Sequence, residues 1–374
     1  MNHRIPALLS VLLAGTIAIV TGPNVVAVHA GPASHDALHV LPPITHGNLT
    51  IFPVVGGTDY DTSRFLTLDE GVREGTVVVT EQGSQQGLIR RGQPVNRHSG
   101  AEVNELVLIN NSDRPLLLLA GEIVTGGKQD RVIGADRLVP PKSEPIDLSV
   151  FCVEPGRWVG HSMQFGSMKS QMAQPSVRVP AMAAKNQEEV WNQVAAARGA
   201  MEAKSTHAGV AGAAPPATTS YAMTMAAPRV QATIDSVGKY DDLLRELRKV
   251  NAKGVVVAIN GRLVWADLFA SNDLLARYWQ KLARSYAAES LTSASLRGDA
   301  GQQSAQAFLD RLSGNREVIE TEAGIFRRAE VTGDGYKVFT LTALLPKADY
   351  DVHIAKMTYT DGPGLAPRPY GMLR

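Results

Sequence analysis

The strongest constraint on the fold is a change of hydrophobic period partway along the chain. From residue 49 to about residue 158, apolar residues come in short runs of Val, Ile and Leu bounded by Gly, Asn, Asp or Pro. Such runs read as strands, whose side chains alternate between two faces. They cover residues 49–55, 76–81, 103–110, 115–119 and 146–154, with Asn110-Asn111-Ser112-Asp113 at hairpin distance between two of them. A short helical turn fits residues 68–73, and residues 82–100, poor in apolar side chains, read as a long exposed loop.

From Lys185 the period becomes helical. Asn186 and Glu189 form an N-cap pair ahead of Val190, Val194 and Ala197. Residues 199–228, mostly Ala, Gly, Ser, Thr, Pro and Met, hold few large apolar side chains and are expected to be a flexible insertion. Tyr240, Leu243, Leu244, Leu247 and Val250 then make the clearest helical stripe, with Gly254 placed to end it. Runs at 255–259 and 263–269 flank Asn260-Gly261, a two-residue hairpin turn whose positions both accept positive φ. Ser271 caps a second helix carrying Leu275, Tyr278, Trp279, Leu282 and Tyr286. A weaker helix at 303–312 and strands at 325–331, 336–345 and 351–359 follow. The pattern predicts an α+β fold, with a β-rich, sandwich-like N-terminal half (44–160) and a mixed helix/strand C-terminal half (235–360).

The N-terminus has the three-part layout of a secretory signal peptide. Arg4 supplies the basic start, residues 5–20 the apolar stretch, and Val28-His29-Ala30 small residues at positions −3 and −1 of a cleavage site. Thr21-Gly22-Pro23-Asn24 breaks the run before it reaches the ~20 residues of a membrane span. The expectation is a signal peptide at 1–30 and a single α+β domain at 31–374, secreted or periplasmic, with no membrane span in the mature chain. The whole chain carries 37 Lys+Arg against 36 Asp+Glu, and loss of residues 1–30 makes the two equal. That balance argues against a nucleic-acid partner, which calls for a basic excess. One cysteine excludes an intrachain disulfide framework and Cys-rich metal sites.

The densest polar run is Gly121-Glu-Ile-Val-Thr-Gly-Gly-Lys-Gln-Asp-Arg131. It misses the phosphate-loop pattern GxxxxGK[ST]: Gly127 stands where Lys is needed, and Gln129 rather than a hydroxyl residue follows Lys128. Gly126-Gly127 can still form an anion nest beside Lys128 and Arg131, or simply a tight turn. Cys152 alternates with Ile146, Leu148 and Val150 on an apolar strand face, so its thiol is expected to be buried and a poor nucleophile. Glu154, Arg157 and Trp158 follow. Together with Glu122, Lys128, Gln129 and Arg131 they make either a ligand-binding cluster or an ion-pair network, which needs the same residue types. Asp267 can bind a ligand, form a turn or pair with a charge. His35 and His39 have i, i+4 spacing, and His161 stands near Met163, Met168 and Met172, but neither set makes a metal motif. GxSxG and HExxH do not occur, and no cofactor motif is legible.

Four segments carry a family resemblance. Leu119-Ala-Gly-Glu-Ile-Val-Thr-Gly-Gly-Lys-Gln-Asp-Arg131, Cys152-Val-Glu-Pro-Gly-Arg-Trp158, Gln187-Glu-Glu-Val-Trp191, and Asp267-Leu-Phe269 ahead of Trp279-Gln-Lys-Leu-Ala-Arg-Ser-Tyr286 resemble, in that order, the ARG and rhodanese-phosphatase-superfamily-associated protein domain. The likeness spans residues 44–359. The family name records an association with ADP-ribosylglycohydrolase-type and rhodanese/phosphatase-type proteins and implies no particular reaction. Three functions are therefore expected in turn. The first is an exported, non-catalytic domain that binds a small anionic ligand or a protein through Glu122, Lys128, Gln129, Arg131, Glu154, Arg157 and Trp158. The second is a hydrolase with Glu122 or Glu154 as general base and Arg131 and Arg157 on an anionic substrate. The third is a structural or assembly protein in which these charges form an ion-pair network.

Overall fold

Strand pairing joins the two halves of the sequence into one large antiparallel sheet. The computed structural model describes residues 38–81, 105–156, 162, 164–293 and 298–359, all within one compact unit, Asp36–Arg374. The expected signal peptide, the whole of the loop at 82–100, Arg157, Trp158, His35, His161, Met163 and the end of the chain lie outside the described residues.

The large sheet runs His39–Val40, Leu49–Val55, Gly254–Ile259, Arg262–Phe269, Ala348–Thr358, Tyr336–Leu345, Phe326–Gly333, Asn315–Glu322, and Ile44–His46 also pairs with Leu49–Val55. Its central hairpin turns on Asn260-Gly261, whose φ values of 52° and 72° put both residues in the left-handed region. Leu49–Val55, from the N-terminal half, is hydrogen-bonded along its whole length to Gly254–Ile259. Thus the β-rich half and the mixed half share a sheet and a core.

The helix Asn272–Thr292 starts at Ser271, whose hydroxyl accepts from the Leu274 N–H, and lies with most of its residues buried in the main apolar core. Gln187–His207 begins at Asn186, whose side chain accepts from the N–H groups of Glu188 and Glu189. Residues 199–228 correct the expectation of a flexible insertion. The first helix runs on to His207, Tyr221–Ala226 and Pro228–Asp235 follow, and Met201, Tyr221, Ala222 and Met225 are buried. The segment has few large apolar residues, but they fall on the faces turned to the core. Gly254 does not end the Tyr240–Lys249 helix but opens the next strand, and Asn251, at φ 52°, makes the left-handed exit.

The remaining strands of the N-terminal half form two smaller sheets. One has three strands, Arg137–Val139, Leu116–Leu118 and Leu66–Thr67. The other runs Gly166–Ser167, Ile123–Thr125, Arg131–Ile133, Ile146–Cys152, Glu105–Asn110, Val77–Glu81. Its ends meet: Gln164 bridges Thr80, and the Phe165 N–H donates to Val79 O at 2.9 Å. The six strands therefore close into a small barrel, filled by Val77, Val79, Leu106, Leu108, Val124, Ile133, Leu148, Val150 and Phe165. Among the described residues no helix is long and apolar enough to cross a membrane.

Candidate functional site

Alternation along the barrel strands decides which polar residues face inward. Val124 and Val150 belong to the barrel core, and their registers place Arg131 opposite Val124 and Cys152 opposite Arg131. Ser167 pairs with Val124. Ser167, Val124, Arg131 and Cys152 therefore make one row across the inner face, at the end of the barrel where its apolar filling stops. Glu81, two residues beyond the inward Val79, reaches the same end.

The turn between Ile123–Thr125 and Arg131–Ile133 joins two of the strands at that end. Gly126 and Gly127 have φ of 130° and 50°, a backbone that favours glycine, and the N–H groups of the turn point to three separate acceptors. All three come from the chain itself: Gly126 N donates to Asp130 Oδ1 at 3.0 Å, Gly127 N to Ser162 Oγ at 3.3 Å and Lys128 N to Glu81 Oε1 at 2.8 Å. Asp130 Oδ2 accepts from Ser220 Oγ at 2.7 Å, and Glu154 Oε2 accepts from the Asp130 N–H at 3.2 Å. Lys128 is exposed, whereas Gln129, Arg131 and Glu154 are buried. Gln129 is the anomaly. It is fully buried, and among the described residues neither its side-chain oxygen nor its nitrogen finds a hydrogen-bond partner. Leaving such a group unpaired costs about 1–3 kcal/mol.

Cys152 is fully buried, and burial pushes its thiol above the ordinary cysteine value, with only partial relief from Arg131. Its backbone is held by Gln187, whose Oε1 accepts from Cys152 N at 2.8 Å and whose Nε2 donates to Cys152 O at 2.9 Å. The Gln187 amide thus continues the strand's pairing with a side chain.

Glu122 stands at the other end of the same hairpin and belongs to a different set. Its Oε1 accepts from Lys281 Nζ at 2.7 Å and its Oε2 from the Leu119 N–H at 3.0 Å, while Asp69 Oδ2 lies 2.9 Å from the same ammonium. Burial pushes the Glu122 carboxyl up, which Lys281 only partly offsets. Burial also works against the Lys281 charge, but Glu122 and Asp69 outweigh it and hold the ammonium above its ordinary value.

A third set surrounds Asp267, at the centre of the large sheet. Arg178 donates to both its oxygens, at 3.2 and 3.3 Å, Tyr286 donates its hydroxyl to Oδ2, and His353 Nε2 lies 3.2 Å from Oδ1. His353 Nδ1 meets Asp136 Oδ2 at 2.6 Å, and Asp136 Oδ1 accepts from the Ala120 N–H at 2.7 Å. The Arg178 guanidinium also lies over the Trp265 ring, 4.2 Å from its centroid. Two cations thus face two carboxylates, all buried. Burial opposes the charge on Asp267, but Arg178 and His353 outweigh it and hold the carboxyl well below the aspartate range. Burial likewise opposes the imidazolium, yet Asp136 and Asp267 raise His353 to about 9. With both ring nitrogens between carboxylates, His353 offers no open position for acid–base work.

The structure thus brings Gln129, Arg131 and Glu154 together and places Lys128 on the surface beside them. Glu122 is apart, and Arg157 and Trp158 lie outside the described residues. The sequence reading singled out Asp267 but not its partners Arg178, His353 and Asp136, which are far from it in the chain and match no motif. Among the described residues no group of three or more His, Cys, Asp or Glu is placed to hold a metal ion.

The four segments of the resemblance interlock. Arg131 pairs with Cys152 across two strands, Gln187 clamps Cys152, Glu122 meets Lys281, and Asp267 accepts from Tyr286. The family model of the ARG and Rhodanese-Phosphatase-superfamily-associated Protein domain matches residues 37–357. No curated protein and no solved structure matches the chain. Over nearly its whole described length, the chain belongs to the ARG and Rhodanese-Phosphatase-superfamily-associated Protein domain family.

Proposed function

We propose that this is an exported, non-catalytic binding domain, with its ligand contacts at the end of the small barrel around Gln129, Arg131 and Glu154. The observation that carries the reading is Gln129: a fully buried carboxamide whose two polar atoms find no hydrogen-bond partner among the described residues. Natural chains keep such a defect at a functional site more readily than in a frame.

The groups that an enzyme would use are taken. Glu122, the expected general base, has one oxygen on Lys281 and the other on a backbone N–H. Asp267 accepts at both oxygens, and His353 is held at both nitrogens. These sets read as frame. They join the 119–136 segment and the Pro175–Val179 helix to the large sheet, which favours the ion-pair-network reading for Glu122 within a binding domain.

Export rests on the N-terminal pattern of Arg4, the apolar stretch and Val28-His29-Ala30. A mass corresponding to loss of residues 1–30, measured on protein recovered from its native host, tests it; an uncleaved chain in the cytoplasm contradicts it. For binding, a thermal-shift panel of nucleotides, ADP-ribose, sugars, metal ions and peptides on the full chain is decisive. A rise in melting temperature without turnover is expected, and a flat response across the panel contradicts the reading.

A further inference from the structure

We propose that the end of the small barrel takes a small molecule presenting a hydrogen-bond donor beside an acceptor, as a lactam, ureide or primary amide does. The proposal rests on the binding reading above and names its ligand class. Two independent observations lead to it.

The first is the Gln129 carboxamide, which offers one acceptor and two donor hydrogens from a single plane, all buried and unpaired among the described residues. A bare anion answers only the donor side of that group, and a cation only the acceptor side. A neighbouring donor–acceptor pair answers both at once. The second is Ser167, whose Oγ is also buried without a partner among the described residues. The strand register sets it on the inner face in the row of Val124, Arg131 and Cys152, at the end of the barrel where the backbone turn carrying Gln129 joins two of the strands. A hydroxyl gives or takes one bond as the ligand requires. Gln129, with both polar atoms of one fully buried amide unpartnered among the described residues, and Ser167 at the same end of one barrel mark a place built to be completed by something else.

The size of the ligand follows from burial. Gln129 is closed off from solvent, so a chain-like ligand cannot lie across it, and a small one must displace packed side chains as it enters. Association is therefore expected to be slower than diffusion, because the binding-competent state is a minor one.

Ligand-observed NMR on the full chain tests the proposal with uracil, hydantoin and 2-pyrrolidone as probes. The control is 1,3-dimethyluracil, which keeps the ring and both carbonyls but has no N–H. At least one of the three probes is expected to bind at least tenfold more tightly than the control. Gln129→Leu is expected to weaken that binding at least tenfold while raising the melting temperature of the unliganded protein, since it replaces an unpaired amide by a methyl-bearing side chain of similar size. Equal binding of probe and control, or probe binding unchanged in Gln129→Leu, overturns the proposal. So does a lower melting temperature for Gln129→Leu, which would mean that the amide is paired in solution. If the three probes fail while another compound of the wider panel stabilises the protein, the ligand class falls and the binding reading stands. If the whole panel fails as well, both fall.

Discussion

Lys281 sits between two carboxylates, 2.7 Å from Glu122 and 2.9 Å from Asp69, on the buried face of the Asn272–Thr292 helix. That helix also carries Tyr286, which donates to Asp267 one and a half turns further on. A single helix therefore anchors two of the buried charge sets, which is why Lys281 stands among its buried residues.

Lys281→Met should leave Glu122 buried without its cation, at a cost of about 3–5 kcal/mol. Glu122→Gln should cost less, because Lys281 keeps Asp69. The double variant should lose less than the sum of the two. Urea unfolding of the four proteins measures this, and strict additivity would mean that the two side chains do not interact.

The Asp267 set makes stability depend on pH in both directions. His353 is raised from 6.5 to about 9, so its contribution is complete below pH 6.5 and lost as pH climbs toward 9, on the order of 3 kcal/mol in total. Asp267 is depressed below 3.8, so its contribution is complete above that value and lost as pH falls toward its folded pKa. The expected profile peaks between roughly pH 3.8 and 6.5, the two ordinary values. His353→Gln should flatten the alkaline limb. An alkaline limb of unchanged slope in that variant would assign the loss to other groups.

Much of this architecture is legible in the sequence, because strands and helices follow local period and capping: Ser271, Asn186 and Asn260-Gly261 act as read. Residues 199–228 read as flexible by composition, which counts few large apolar residues without saying that Met201, Tyr221 and Met225 all enter the main core. The site was only half visible. Gln129, Arg131 and Glu154 lie close in sequence or across paired strands, whereas Asp267 and His353 meet through sheet order and Arg178 reaches them from the Pro175–Val179 helix, which no spacing encodes. Glu122 and Gln129 are only seven positions apart in the chain, yet they stand at opposite ends of a hairpin.

Gly121→Ala should disturb the Asp267 set without touching a charge. Gly121 has φ 96°, and an added Cβ would stand 2.7 Å from Arg178 Nε and 2.8 Å from its Cδ. Strain and displacement of the guanidinium should together cost about 1–3 kcal/mol. A melting temperature equal to that of the parent would show that Arg178 can move aside freely.

The Cys152 thiol, buried and with a raised pKa, should resist iodoacetamide in the native protein and react readily in urea. Mass spectrometry of the alkylated protein reads the outcome directly. Rapid native labelling would place the sulfur at an accessible surface.

The buried polar residues divide into a frame around Glu122 and a binding end around Gln129. The most direct measurement is the melting temperature of Glu122→Gln and Gln129→Leu, each with and without a compound that stabilises the parent protein. The account predicts that Glu122→Gln melts lower yet keeps the ligand-induced rise, while Gln129→Leu melts higher and loses it. The opposite pattern, with Glu122→Gln stable but blind to the ligand and Gln129→Leu fully responsive, would contradict it.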